Sequence, residues 1–159
     1  MMRIRGFSAV FLLLFLLGAV LSVAAQSSDS AEIWRGERIT FTKEDGADPT
    51  LPENQDRITE DVWITRGNSG GQIFNIRVND RAEKSVSPVD TQWAVGTTEE
   101  LQDLEFQPFR PAVGSPSQVV GQNLVMYLPD ENIYIDVRFL SWSQGQRGGF
   151  SYERSTPGE

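Results

Sequence analysis

Beyond residue 33, apolar residues recur at every second position through most of the chain, the pattern of strands buried on one face. Over Arg38 to Thr42, Ile39 and Phe41 share one side and the threonines the other. Arg57 to Arg66 sets Ile58, Val62 and Ile64 against a face that carries Trp63, and Gln72 to Asn79 sets Phe74, Ile76 and Val78 inward. Gly67-Asn68-Ser69-Gly70-Gly71 lies between those two runs and predicts a hairpin with a loop longer than two residues. Thr91 to Val95 and Leu124 to Pro129 predict further strands, the second closed by the turn Pro129-Asp130-Glu131-Asn132. The clearest strand is Asn132 to Trp142. Ile133, Ile135, Val137 and Phe139 face one way, and Tyr134, Asp136, Arg138 and Trp142 the other, with Leu140 among them. Ser143 to Gly149 reads as a glycine-rich turn, and Gly149 to Arg154 as the last strand.

A helical period occurs once. Thr97 with Glu100 forms a capping pattern, and Leu101 and Leu104 can share one face of a single short helix. The acidic loop Glu44 to Asp56, with Pro49 and Pro52, and the segment Phe106 to Pro116, with Pro108, Pro111 and Pro116, are expected to be irregular. Seven or eight strands and one helical turn predict an all-β fold: one antiparallel β-sandwich or jelly-roll-like domain over residues 33–159. No internal repeat or interdomain linker is evident.

The N-terminus follows a different rule. Arg3 and Arg5 precede an apolar run from Phe7 to Val23, and Val23-Ala24-Ala25 supplies small residues for a signal peptidase. Residues 1–25 therefore read as a signal peptide and 26–32 as a flexible polar leader. A retained anchor needs about 20 apolar residues, a length the run can just reach; the small-residue exit and the polar Gln26 to Ser30 favour cleavage. No second run approaches membrane length. A secreted protein is expected, periplasmic or extracellular, and free rather than anchored, since no sorting segment follows Gly158.

Composition narrows the chemistry. Cleavage leaves 134 residues, enough for an independent core. With no cysteine, that core has no disulfide despite an oxidising destination. With no histidine, the Ser-His-Asp and Cys-His nucleophile systems and imidazole-ligated metals are excluded. Losing Arg3 and Arg5 takes the formal charge from −8 to −10. That balance repels phosphate backbones and argues against a nucleic-acid partner.

Three blocks carry a resemblance: Asp56-Arg57-Ile58-Thr59 with Val62-Trp63-Ile64-Thr65-Arg66; Trp93-Ala94-Val95-Gly96-Thr97-Thr98; and Ile133 to Val137, Ser141-Trp142 and Gly148 to Thr156. Together they resemble an uncharacterised family of bacterial exported proteins, whose modules occur alone or attached to larger surface proteins. The resemblance implies export and a β-rich single module, and no activity to carry over.

Candidate sites rest on side-chain chemistry. Tyr134, Asp136, Arg138, Trp142, Tyr152 and Arg154 read as one polar face of the last hairpin, where rings beside carboxylate and guanidinium groups suit a sugar. The competing expectation is a core seam, with Trp142 and Tyr152 filling space and Asp136 paired to an arginine. Trp63 is either a second platform or is covered by the Glu44 to Asp56 loop. That loop offers Asp45, Asp48 and Asp56 to calcium, the one cofactor candidate, although no EF-hand spacing is present. Asp136 and Glu153, on adjacent predicted strands, are the pair a carboxylate hydrolase would use at roughly 5–10 Å separation. Gly145 to Gly149 lacks the lysine spacing of a phosphate loop. The expected function is a non-catalytic exported module for surface assembly, adhesion or ligand binding, with a glycan or protein partner at the cell surface. The alternatives are a carbohydrate binder with exposed aromatics and a glycan hydrolase.

Overall fold

The computed structural model describes residues 30–159; the signal-peptide expectation, and most of the leader, lie outside them. Among the described residues, nine strands form two sheets. The large sheet contains β1 (Glu32–Trp34), β2 (Ile39–Lys43), β6 (Gln92–Val95), β7 (Asn123–Leu128), β8 (Ile133–Trp142) and β9 (Phe150–Arg154). The small one contains β3 (Asp56–Arg57), β4 (Trp63–Arg66) and β5 (Ile73–Asn75). The fold is all-β and sandwich-like, as the alternation predicts.

The large sheet runs β2-β9-β8-β7-β6, all antiparallel, and β1 pairs with β8 in parallel, beside Ile133 to Ile135. Glu32 is thus in a strand rather than the flexible leader. β1 occupies the side of β8 that β9 vacates after Arg154: Ser155 N–H donates to the Asp136 carbonyl at 3.0 Å, and the chain then turns to meet Gly36. Ile58, Val62, Ile64 and Ile73 of the small-sheet region pack on Leu124, Met126, Ile135, Val137, Phe139 and Tyr152. Each such side chain contributes roughly 1.5–3 kcal/mol on full burial.

Three local departures have physical causes. The run expected from Arg57 to Arg66 is two short strands, because Thr59 Oγ1 accepts the N–H groups of Asp61 (3.3 Å) and Val62 (3.2 Å) and bends the chain. The strand expected to reach Asn79 stops at Asn75. There the buried amide receives the Trp63 and Arg77 N–H groups and donates to the carbonyls of Asp61 and Val89, so Val78 points to solvent at 52% exposure. Within the proline-rich stretch, Phe109–Val113 is an α-helix, α1. Pro111 is its third residue, where the N–H has no intrahelical partner to lose. α1 places Phe109, fully buried, against Trp93 with ring centroids 5.0 Å apart. The helix expected at Leu101 is a 3-10 segment, Thr98–Asp103.

At one end of the sandwich, two buried cations hold the loops. Lys43 Nζ donates to Asn68 Oδ1 (2.9 Å) and the Gly148 carbonyl (3.3 Å). Arg66 donates to the carbonyls of Gly71, Ser143 and Gly149 and lies 4.0 Å over the Trp142 ring. Burial lowers the pKa of Lys43, and Arg66 beside it adds to the shift.

Candidate functional site

The predicted polar face of the last hairpin divides in two. On β8, Tyr134, Asp136 and Arg138 do share the outer side, opposite the buried Ile133, Ile135, Val137 and Phe139. On β9, register places Tyr152 opposite Phe139 and Arg154 opposite Val137, both core positions. Tyr152 and Arg154 are therefore interior. Trp142 is displaced too, because the register shift between Phe139 and Ser141 leaves Leu140 unpaired. That bulge reverses the parity of everything after it, and Trp142 turns to the core, stacked on Phe109 with centroids 6.2 Å apart.

The interior residues form a network. Arg154 grips Asp56 through Nε to Oδ2 (2.7 Å) and Nη2 to Oδ1 (2.9 Å), and the Tyr152 hydroxyl donates to the same Oδ2 at 2.6 Å. Burial holds the Tyr152 phenol well above its ordinary pKa, and the Asp56 charge pushes the same way. Asp56 belongs to β3, so this bidentate pair fastens the small sheet to the large one. It also removes Asp56 from any calcium site. Asp45 is paired with Arg147 at 3.4 Å, and Asp48 accepts the Thr50 N–H (2.9 Å) and hydroxyl (2.8 Å). Hydrogen bonding from Ser143 lowers the Asp45 pKa, and that from the Thr50 backbone lowers Asp48. The three carboxylates do not converge, and among the described residues no cluster of three or more acidic side chains is placed to hold a metal.

The remaining aromatic candidates each have partners against the ring. Trp63 lies 4.1 Å from the Arg57 guanidinium and 5.5 Å from Arg77, and its indole N–H donates to the Thr59 carbonyl. Two arginines thus cover part of the ring. Tyr134 stacks on Tyr127 at 4.4 Å, with Phe106 edge-on to both. No two of Trp63, Tyr134 and Trp142 contact each other among the described ring pairs.

Asp136 is the candidate that lies in a cleft. A hollow of about 340 Å³ is lined by Trp34, Arg35, Arg38, Thr98, Glu99 and Asp136, with Gly36, Thr97 and Ser155. A second, of about 440 Å³, is lined by Ile33 and by Thr98 to Asp103, so the two meet at Thr98 and Glu99. Asp136 Oδ1 accepts the Thr98 N–H (2.8 Å) and Oδ2 the Thr98 hydroxyl (2.9 Å), so β8 caps the 3-10 segment from outside. Thr97, the expected cap, makes no side-chain capping bond. Arg38 reaches Asp136 at 4.0 Å and Glu153 at 3.3 Å. The two carboxylates proposed as a hydrolytic pair thus share one guanidinium, and both Asp136 oxygens are already engaged.

One buried donor beside the cleft is unmatched. Trp34 is 6% exposed, and its indole N–H has no acceptor among the described residues. A buried donor left without a partner costs about 1–3 kcal/mol. Trp34 was not a sequence candidate because Trp34-Arg35-Gly36-Glu37 has no period and precedes the first predicted strand, and Arg38 only opens that strand.

The chain matches no family model, no curated protein and no solved structure. Among the described residues, no helix is long and apolar enough to cross a membrane.

Proposed function

We propose that this chain is an exported, non-catalytic adhesion or assembly module of the bacterial envelope, which captures an acceptor-rich segment of a protein partner in the Asp136 cleft. The observation that carries this is the buried, unpartnered indole N–H of Trp34, a residue that lines the cleft beside Asp136. Arg35, Arg38 and Thr97 add donors around it, while Asp136 is satisfied internally and organises the wall. Those donors in the first hollow take carbonyls, which an extended peptide presents in series, while Glu99, Glu100 and Asp103 line the second hollow. Two adjoining hollows meeting at Thr98 suit such a segment better than a compact ligand. The partners against the rings of Trp63, Tyr134 and Trp142 weigh against the stacked-sugar alternative.

Purified protein and its Trp34→Phe variant, which keeps a ring but loses the N–H, are applied to peptide and glycan arrays. Retention on extended peptides by the parent, reduced in the folded variant, is the expected result. Retention on glycans alone transfers the cleft to the carbohydrate reading, and no retention by the folded parent on either array sinks the proposal.

A further inference from the structure

We infer that the open edge of β2 pairs with β2 of a second copy of this chain, antiparallel about Phe41, and joins the two large sheets into one. The pairing lies outside the Asp136 cleft and does not rest on what that cleft holds.

A sheet edge presents unpaired backbone N–H and C=O groups, a template for another strand. β6, at one end of the large sheet, is closed at Trp93, whose N–H donates to the Gln107 carbonyl at 2.7 Å and whose carbonyl accepts the Gln107 N–H at 3.0 Å. β2, at the other end, is open. Its five residues pair with Phe150 to Arg154 of β9, and among the described residues no backbone group of 39–43 bonds anything else. β1, β3 and β5 are shorter, with two or three residues each. The devices that commonly guard an edge are missing from β2. It has no proline and no bulge, and its lysine is turned inside: Lys43 is 1% exposed and is held by Asn68 and the Gly148 carbonyl. Ile39, by contrast, is 42% exposed, and Thr40 and Thr42 are exposed with it.

The residues of the edge select its occupant. Isoleucine, threonine and phenylalanine favour strands. Antiparallel pairing about Phe41 is the one register that matches all five residues of β2 with all five of a second copy. It sets Phe41 opposite Phe41 of the second copy, Thr40 opposite Thr42, and Ile39 opposite Lys43. Aromatic pairs and threonine pairs placed directly opposite are favourable contacts. One residue farther out, the same register sets Arg38 opposite Glu44, twice by symmetry. Both side chains are exposed; Arg38 also reaches Glu153 at 3.3 Å, and Glu44 joins no ion pair among the described residues. Local charge therefore favours self-pairing, although each chain carries −8. The contact uses the same patch on both copies and closes after two.

The chain has no cysteine, so introduced disulfides can report the register. Residues directly opposite have Cα atoms about 4.5–5.5 Å apart, within disulfide reach, whereas diagonal neighbours at about 7–8 Å lie beyond it. Sedimentation of the purified protein should give twice the mass of one chain. Thr40→Cys and Thr42→Cys proteins, mixed and oxidised, should cross-link about tenfold more than either protein alone, because 40 meets 42 across the pair but meets 40 only on the diagonal. The double variant Thr40→Lys with Thr42→Lys sets lysine opposite lysine and should raise the dissociation constant about tenfold or more. These sites are exposed, and circular dichroism checks that each variant folds. A folded parent that stays monomeric at high concentration would overturn the inference, whatever other protein it binds through β2. So would a dimer that the folded double-lysine variant retains, or one in which the mixed cysteines cross-link no better than the separate ones.

Discussion

Removing the Asp56 carboxylate should be the most damaging single change in the interior. Its two oxygens receive three hydrogen bonds, at 2.6, 2.7 and 2.9 Å, from Tyr152 and Arg154. Asp56 and Arg154 are each 5% exposed, and Tyr152 is fully buried. In Asp56→Ala the guanidinium stays in the interior without its counter-charge, and the Tyr152 hydroxyl loses its acceptor. Breaking such a pair from one side costs about 3–5 kcal/mol. With an unfolding entropy near 2.1 cal/mol/K per residue, that lowers the melting temperature of a domain of about 130 residues by roughly 10–20 °C. The double variant Asp56→Leu with Arg154→Met should lose less than Asp56→Ala, because no lone charge remains buried. Chemical denaturation of parent, single and double variants gives the coupling energy directly. A single-variant loss below about 1 kcal/mol, or strictly additive losses, would refute the network as the link between the sheets.

Other consequences are equally open to test. Tyr152 has its pKa raised from an ordinary 10.0, so its contribution is fully present below that pH and is lost as pH climbs toward the folded value. The lowered Lys43 acts oppositely, adding stability as pH rises toward its ordinary 10.5. Tyr152→Phe should therefore gain on the parent as pH rises through 10, and parallel stability curves would contradict this. Asp90 has its pKa raised by burial and by the charges of Asp130, Glu131 and Asp61, so its ionisation opposes folding above the carboxylate range. Asp90→Asn, tolerated at a φ of 62°, should be more stable than the parent at pH 7 by up to about 1 kcal/mol, with the gap closing below about pH 4. A constant gap across that range would rule out the charge explanation. Gly148→Ala should cost about 2–4 kcal/mol in denaturant melts, since φ is +74° and a Cβ would lie 2.7 Å from the Gly67 carbonyl oxygen; a neutral result would place the loop elsewhere.

The fold class was legible because alternation survives wherever one sheet face is buried, as in Ile133 to Phe139. What alternation cannot carry is a change of parity. The bulge at Leu140 has no mark in Arg138-Phe139-Leu140-Ser141-Trp142, and it alone moves Trp142 from the polar face to the core. Tyr152 and Arg154 lie inward for a different reason: register sets them opposite Phe139 and Val137, and a charge can lie inside only because Asp56 meets it from a strand 98 residues away. Sequence spacing holds no record of that encounter. α1 was hidden by its prolines, which are harmless in a first turn. Asp136 was visible as a polar residue on β8, but its partner Thr98 lies far off in the predicted helix start, and the neighbouring Trp34 comes from a segment without period.

The central claim is that the Asp136 cleft receives an acceptor for the Trp34 indole N–H. The direct measurement is the proton–nitrogen correlation spectrum of the four tryptophan side chains, with the Trp34 signal assigned by its disappearance in Trp34→Phe. During titration with a peptide retained on the array, that signal should move to lower field as a hydrogen bond forms, while the Trp63 and Trp93 signals, already donating to Thr59 and Thr91, stay in place. Saturable peptide binding with an unmoved Trp34 signal would contradict the account.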